Sequence, residues 1–165
     1  MKNRVVLALF IVLAFAFSAG AVAVKADFNG NWVLDPSKSE GLPEGMQQTM
    51  TVVQNGETIA IETSFATDEG NQTVKDSYTL SGKEEAFTAY WGQGAKGKRI
   101  SKWNADGNGF EVNEEATFEA MEKPVTGKMN RKWMMAADGK SLTIVLTFNG
   151  PQGEVITKRV FTRKA

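Results

Sequence analysis

The 165-residue chain contains no cysteine and no histidine. Without cysteine there is no disulfide staple, thiolate metal site, lipidated cysteine anchor or cysteine nucleophile. Without histidine the commonest general base, metal ligand and haem ligand are gone. A dominant charge is missing too. The 19 basic residues balance 19 acidic ones, so nothing points to nucleic acid or an anionic membrane surface. No Gly-x-Ser-x-Gly, no phosphate-cradling glycine-rich loop ahead of a helix and no calcium-loop spacing occurs. No catalytic residue, metal or cofactor is therefore expected.

One long apolar run is present, at the start. Lys2 and Arg4 precede unbroken apolar sequence from Val5 to Phe17, and small residues dominate from Ser18 to Ala26. These are the three parts of a secretory signal peptide. Cleavage is expected after Ala26, with Ala23 as the second candidate. An uncleaved anchor is the alternative, because Val5 to Val24 is nearly long enough to span a bilayer. Export would place the mature chain, residues 27–165, in the periplasm or outside the cell. Lys2, Arg4 and Lys25 would leave with the segment, so the mature balance is slightly acidic. That length suits a single domain, monomeric and without membrane insertion after cleavage. A domain of this size buries roughly two-thirds of its unfolded surface and needs no staples.

The mature chain shows period-two alternation and turn dipeptides, the pattern of short antiparallel strands. Asn55-Gly56 predicts a hairpin that sets Gln54 against Glu57, Val52 against Ile59, Met50 against Ile61, Gln48 against Thr63 and Met46 against Phe65. Ala66 to Asn71 reads as a polar loop. A second hairpin, bent at Ser81-Gly82-Lys83, sets Leu80 against Glu85, Tyr78 against Phe87, Asp76 against Ala89 and Val74 against Trp91. Lys98–Asn104, Phe110–Ala120, Gly127–Ala136, Leu142–Phe148 and Glu154–Arg163 complete the series. In the last strand Ile156 and Val160 suggest one face, Val155 and Phe161 the other. About ten strands in nearest-neighbour order would leave bare edges unless they close into an all-β, antiparallel up-and-down barrel of about 8–10 strands. A two-sheet sandwich is the alternative.

Phe28-Asn29-Gly30-Asn31-Trp32 carries an early Phe-x-Gly-x-Trp, and the final strand is basic. With the all-β meander, the chain resembles the calycins, that is, the lipocalins and the fatty-acid-binding proteins. The resemblance implies that Trp32 packs at the closed end of the barrel beside a late arginine, Arg159 or Arg163. It also matches Arg159 to the carboxylate-gripping arginine of fatty-acid-binding proteins. Phe161 departs from the partner tyrosine and lacks its hydroxyl. The helical lid of that family is missing, because Asp35–Gly45 is too short. Phe-x-Gly-x-Trp followed by Leu-Asp-Pro-x-Lys-Ser is similar to a group of exported bacterial lipocalin-like proteins.

Charges also fall on otherwise apolar faces. One register sets Phe110 opposite Met135, Val112 opposite Trp133, Glu114 opposite Arg131 and Ala116 opposite Met129. Another sets Trp103 opposite Phe110 and Arg99 opposite Glu114, which places Glu114 between Arg99 and Arg131. With Arg159 also inward, the interior would hold an excess of positive charge. A sealed core does not normally retain an unpaired charge, whereas a cavity receiving an anion does. Arg99, Arg131 and Arg159 are thus the expected holders of an acidic head, and Glu114 their orienter. Tyr78, Phe87, Trp91, Trp103 and Trp133 are the apolar lining. The expected partner is a small hydrophobic or amphipathic molecule, for example a fatty acid. Asp76 is expected at a wet rim. The alternative function is envelope interaction or inhibition through the loops Asp35–Gly45 and Gly92–Gly97.

Overall fold

The computed structural model describes residues 24–67, 70–89, 91, 94–120 and 123–164. The expected export segment lies outside these residues, apart from Val24–Ala26.

Ten antiparallel strands form one sheet: β1 (Gly30–Leu34), β2 (Gln47–Asn55), β3 (Thr58–Thr67), β4 (Gly70–Thr79), β5 (Ser81–Thr88), β6 (Lys96–Trp103), β7 (Gly109–Ala120), β8 (Lys123–Met135), β9 (Ser141–Gly150) and β10 (Gly153–Arg163). The spatial order is β4-β3-β2-β1-β10-β9-β8-β7-β6-β5. The sheet curls into a nearly closed barrel. The short β1 joins its halves, pairing Trp32 with Met50 of β2 and with Arg163 of β10. The sandwich alternative is thereby set aside.

Three expected ladders are corrected. Asn55 pairs with Thr58, so Gly56 and Glu57 form the two-residue turn, with Gly56 at φ +61°. Every partner on β3 moves two places: Gln54 meets Ile59, Val52 meets Ile61 and Gln48 meets Phe65. A two-place shift keeps each side chain on its own face, so alternation cannot detect it. The same shift occurs between β7 and β8, where Phe110 meets Trp133, Val112 meets Arg131 and Glu114 meets Met129. The third correction is larger: β4 and β5 do not pair. Leu80 is buried, and its N–H donates to the Glu57 carbonyl at 2.8 Å. The strands diverge from that point, and two inward acids, Asp76 and Glu85, hold one arginine between them. The expected loop at Ala66 to Asn71 is also shorter, since Ala66 pairs with Asn71 and Thr67 with Gly70. The ladder of β6 and β7 has the expected register, Trp103 with Phe110 and Arg99 with Glu114.

The interior is layered. Phe28 is fully buried and plugs one end, with ring centroids 5.1 Å from Phe110, 6.0 Å from Trp103 and 6.4 Å from Trp133. Trp32 closes the same end. Its Nε1–H donates to the Phe28 carbonyl at 3.0 Å, and the Arg163 guanidinium lies 4.7 Å from its ring centre. Arg163, not Arg159, is thus the late arginine beside this tryptophan. In β10, Phe161 is buried with the core, while Val160 is buried beside the Asp35–Ser39 turn, its carbonyl accepting from Asp35 N–H. Trp32→Phe should cost about 1–2 kcal/mol, since it strands the buried Phe28 carbonyl. Denaturant titration reads this directly.

Candidate functional site

A belt of polar side chains crosses the barrel between the Phe28 floor and the far mouth. Glu114 of β7 is its hub at 4% exposure. Its Oε2 lies 2.5 Å from Arg131 Nη1 of β8 and accepts from Trp91 Nε1 at 3.1 Å, while Oε1 is 3.9 Å from Arg99 Nη1. Arg131 is 3% exposed and Arg99 8%. The two-place shift of β8 makes Glu114–Arg131 a diagonal pair, not a directly opposed one.

Arg99 reaches away from Glu114. Nη1 donates to Asp76 Oδ1 at 2.8 Å, Nε to Glu85 Oε1 at 2.7 Å, and Nη2 to the Ser77 carbonyl. Tyr78 and Phe87 also face the guanidinium, at 5.0 and 5.3 Å from ring centres. Burial alone would lower its pKa, but the hydrogen bonds to Asp76 and Glu85 and their charges outweigh burial and raise it. Arg99 stays charged at any physiological pH.

Asp76 is therefore an ion-pair partner rather than a lone rim carboxylate. Glu85 was not singled out in the sequence, although its period-two spacing from Phe87 puts it on the same face. Together they change the charge argument. Arg99, Arg131 and Arg159 face Asp76, Glu85 and Glu114, so the belt is balanced and the expected cationic excess is not found.

A cavity of about 50 Å³ lies beside the belt, between β2–β4 and β8–β10. Arg131, Arg159, Gln48, Asp76, Tyr78 and Trp133 form its polar and aromatic lining. Arg159 Nη1 donates to Gln48 Oε1 at 3.1 Å. Trp133 is buried, and its Nε1–H has no hydrogen-bond partner among the described residues. Phe65 and Val74 line the side away from Phe28. Of the aromatic residues singled out, Tyr78 and Trp133 border this cavity. Trp103 instead packs on the floor against Phe28, and Phe87 and Trp91 pack at the far mouth.

At that mouth Trp91 sits against Phe118 and Phe148, with centroids at 6.2 and 5.5 Å. Gly127 makes the room. A Cβ there would lie 2.9 Å from Trp91, 3.0 Å from Phe118 and 3.1 Å from Phe148. Gly127→Ala should cost about 1–3 kcal/mol by overpacking. A red-shifted tryptophan emission would report Trp91 moving outward. A wider hollow of about 800 Å³ lies on the outer face of β5–β9. Four of its charges pair with one another, Lys98 with Glu84 at 2.9 Å and Lys128 with Glu115 at 3.0 Å. The described residues contain no cluster of acids able to hold a metal ion.

No family model and no curated protein sequence matches the chain. Among solved structures, the chain is similar to zebrafish ileal bile acid-binding protein complexed with cholic acid. The TM-score is 0.54 at 18% identity, covering 83% of this chain and 98% of that one. It is also matched with secretory abundant heat soluble protein 4 from Ramazzottius varieornatus, at TM-score 0.49, 12% identity and coverage of 83% and 94%. The ten-strand, nearly closed antiparallel sheet and the first of these likenesses make the chain a calycin-like barrel in fold.

Proposed function

We propose that the protein is an exported, non-enzymatic carrier for a small amphipathic acid, held in the barrel with its carboxylate at Arg159. The observation that carries this reading is the interior cavity. The guanidinium residues Arg131 and Arg159, the Gln48 amide, the Trp133 indole and the Asp76 carboxylate, the last already paired with Arg99, border one small space, and apolar Phe65 and Val74 continue it toward the mouth. Arginine's planar fork can give a carboxylate two parallel hydrogen bonds. The structural neighbour that binds cholic acid shares the fold, which supports the class of activity and not the ligand.

At about 50 Å³ the cavity accommodates a head group rather than a whole lipid, since ligand pockets typically measure roughly 300–1,000 Å³. Tail binding therefore requires Phe65 and Val74 to move apart. The balanced belt favours a second reading, a filled barrel that acts on an envelope partner through the Asp35–Gly45 loop.

The deciding experiment is organic extraction of the protein purified from its own host, with mass spectrometry of released molecules. It is paired with oleate titration followed by tryptophan emission. An acidic lipid in stoichiometric amount supports the carrier. Arg159→Ala should then weaken oleate binding about tenfold or more, the loss of roughly 1.5–3 kcal/mol for a charged hydrogen bond. An empty protein whose spectrum ignores oleate would sink the carrier and leave the loop-mediated role.

A further inference from the structure

Two bonds near the end of the export segment suit cleavage. Ala21-Val22-Ala23 puts small residues at the third and first positions before a cut, the pattern that signal cleavage takes. Val24-Lys25-Ala26 puts a small residue only at the position next to the cut. The three residues between these bonds, Val24, Lys25 and Ala26, separate the two outcomes.

Two of the three make contacts of the folded barrel. The Ala26 N–H donates to the Gly107 carbonyl, in the turn between β6 and β7, at 2.8 Å. Ala26 is half-buried and packs against the core. The Lys25 ammonium lies 5.1 Å from the centre of the Trp103 ring, within range of a cation–π contact. It is also 3.7 Å from Glu57, in the turn between β2 and β3. Those two turns belong to opposite halves of the sheet, which β1 joins. The segment thus straps the closed end across both halves, just ahead of the Phe28 plug.

Burial and hydrogen bonding of the affected backbone decide which truncations a fold tolerates. A cut after Ala26 removes the Ala26 N–H, its packing and the Lys25 ammonium together. A cut after Ala23 removes none of them. Access differs as well. The Ala26–Asp27 bond is pinned on both sides, by Ala26 N–H on Gly107 and by the Asp27 carbonyl, which accepts from Arg163 Nη2 at 2.7 Å. Val24 is 91% exposed. A protease needs an extended, accessible segment, and the folding barrel withdraws the second bond from it.

We infer that the export segment is cut between Ala23 and Val24, and that Val24–Ala26 stay as a strap across the closed end. This rests on the export reading above and is independent of what the barrel carries. It moves the expected cut three residues upstream and keeps Lys25 in the mature chain.

The test expresses the full chain in its own host, then sequences the accumulated protein from its N-terminus and weighs it intact. A start at Val24 is expected. A start at Asp27, or at any other residue within the chain, overturns the site while export stands. A protein that keeps Met1 sinks the export reading and the site with it. In a pulse-chase, Ala23→Leu should leave most of the chain uncut, and Ala26→Leu should be processed at the wild-type rate. No effect of Ala23→Leu, or a block by Ala26→Leu, overturns the site. The strap has its own readout. In the mature protein the Ala26 amide should exchange about tenfold more slowly than in the denatured chain, equivalent to about 1.4 kcal/mol. An unprotected Ala26 amide overturns the strap even where the cut falls at Val24.

Discussion

Glu114→Ala is expected to destabilise the barrel by about 3–5 kcal/mol, the cost of removing one partner from a buried ion pair. The carboxylate is 4% exposed, in contact with Arg131 and hydrogen-bonded to Trp91. Deleting it leaves the Arg131 guanidinium, 3% exposed, without that counter-charge. Urea denaturation should show a lower midpoint at unchanged slope. Glu114→Gln should fall between, because an amide oxygen still accepts from Trp91 Nε1 but no longer neutralises arginine. A loss below about 1 kcal/mol would mean that the belt is water-filled and behaves as a surface pair does.

Phe28→Ala should rank beside it, at about 3–5 kcal/mol for a large aromatic removed from a closed core. Phe28 precedes β1, yet it is the floor of the barrel, meeting Phe110 edge-on with an interplanar angle of 77°. Phe110 and Trp133 stack beneath it at 5.0 Å and 16°. Its removal opens a void that the surrounding ladders cannot collapse to fill, and frees Trp103 and Trp133 to reorient. Differential scanning calorimetry measures the loss, and near-ultraviolet circular dichroism should lose much of its tryptophan fine structure. A shift of only a few tenths of a kcal/mol would show that the floor is redundant.

Strand identity and facing were legible because inward positions alternate with polar ones along nearly the whole chain. Pairing was legible where a turn fixed it. The β6–β7 ladder has Arg99 opposite Glu114 as the sequence indicates. The Asn55-Gly56 hairpin slid by two residues because Gly56, at positive φ, takes the first turn position and leaves Asn55 in the ladder. The gap at β4–β5 was hidden for another reason. Ser81-Gly82-Lys83 is a good local hairpin signal, and what overrides it is tertiary. Arg99 arrives from β6 to lie between Asp76 and Glu85. The same event turned an expected cationic excess into a balanced set. Trp91, expected opposite Val74 on the lining, instead donates to Glu114 and packs beside Gly127, away from the interior cavity.

The strand order carries a kinetic consequence. Every ladder but one joins strands adjacent in sequence, so most of the sheet can zip up hairpin by hairpin, with low entropic cost per step. The exception is β1 with β10, which brings Trp32 to Arg163, nearly the two ends of the described chain. That single long-range closure must wait for both termini. It sets the protein apart from folds whose many non-local pairings each slow the search. Until it forms, β1 and β10 present naked edges, so the nascent chain is most open to self-association in the interval between the completion of β10 and its docking on the first strand.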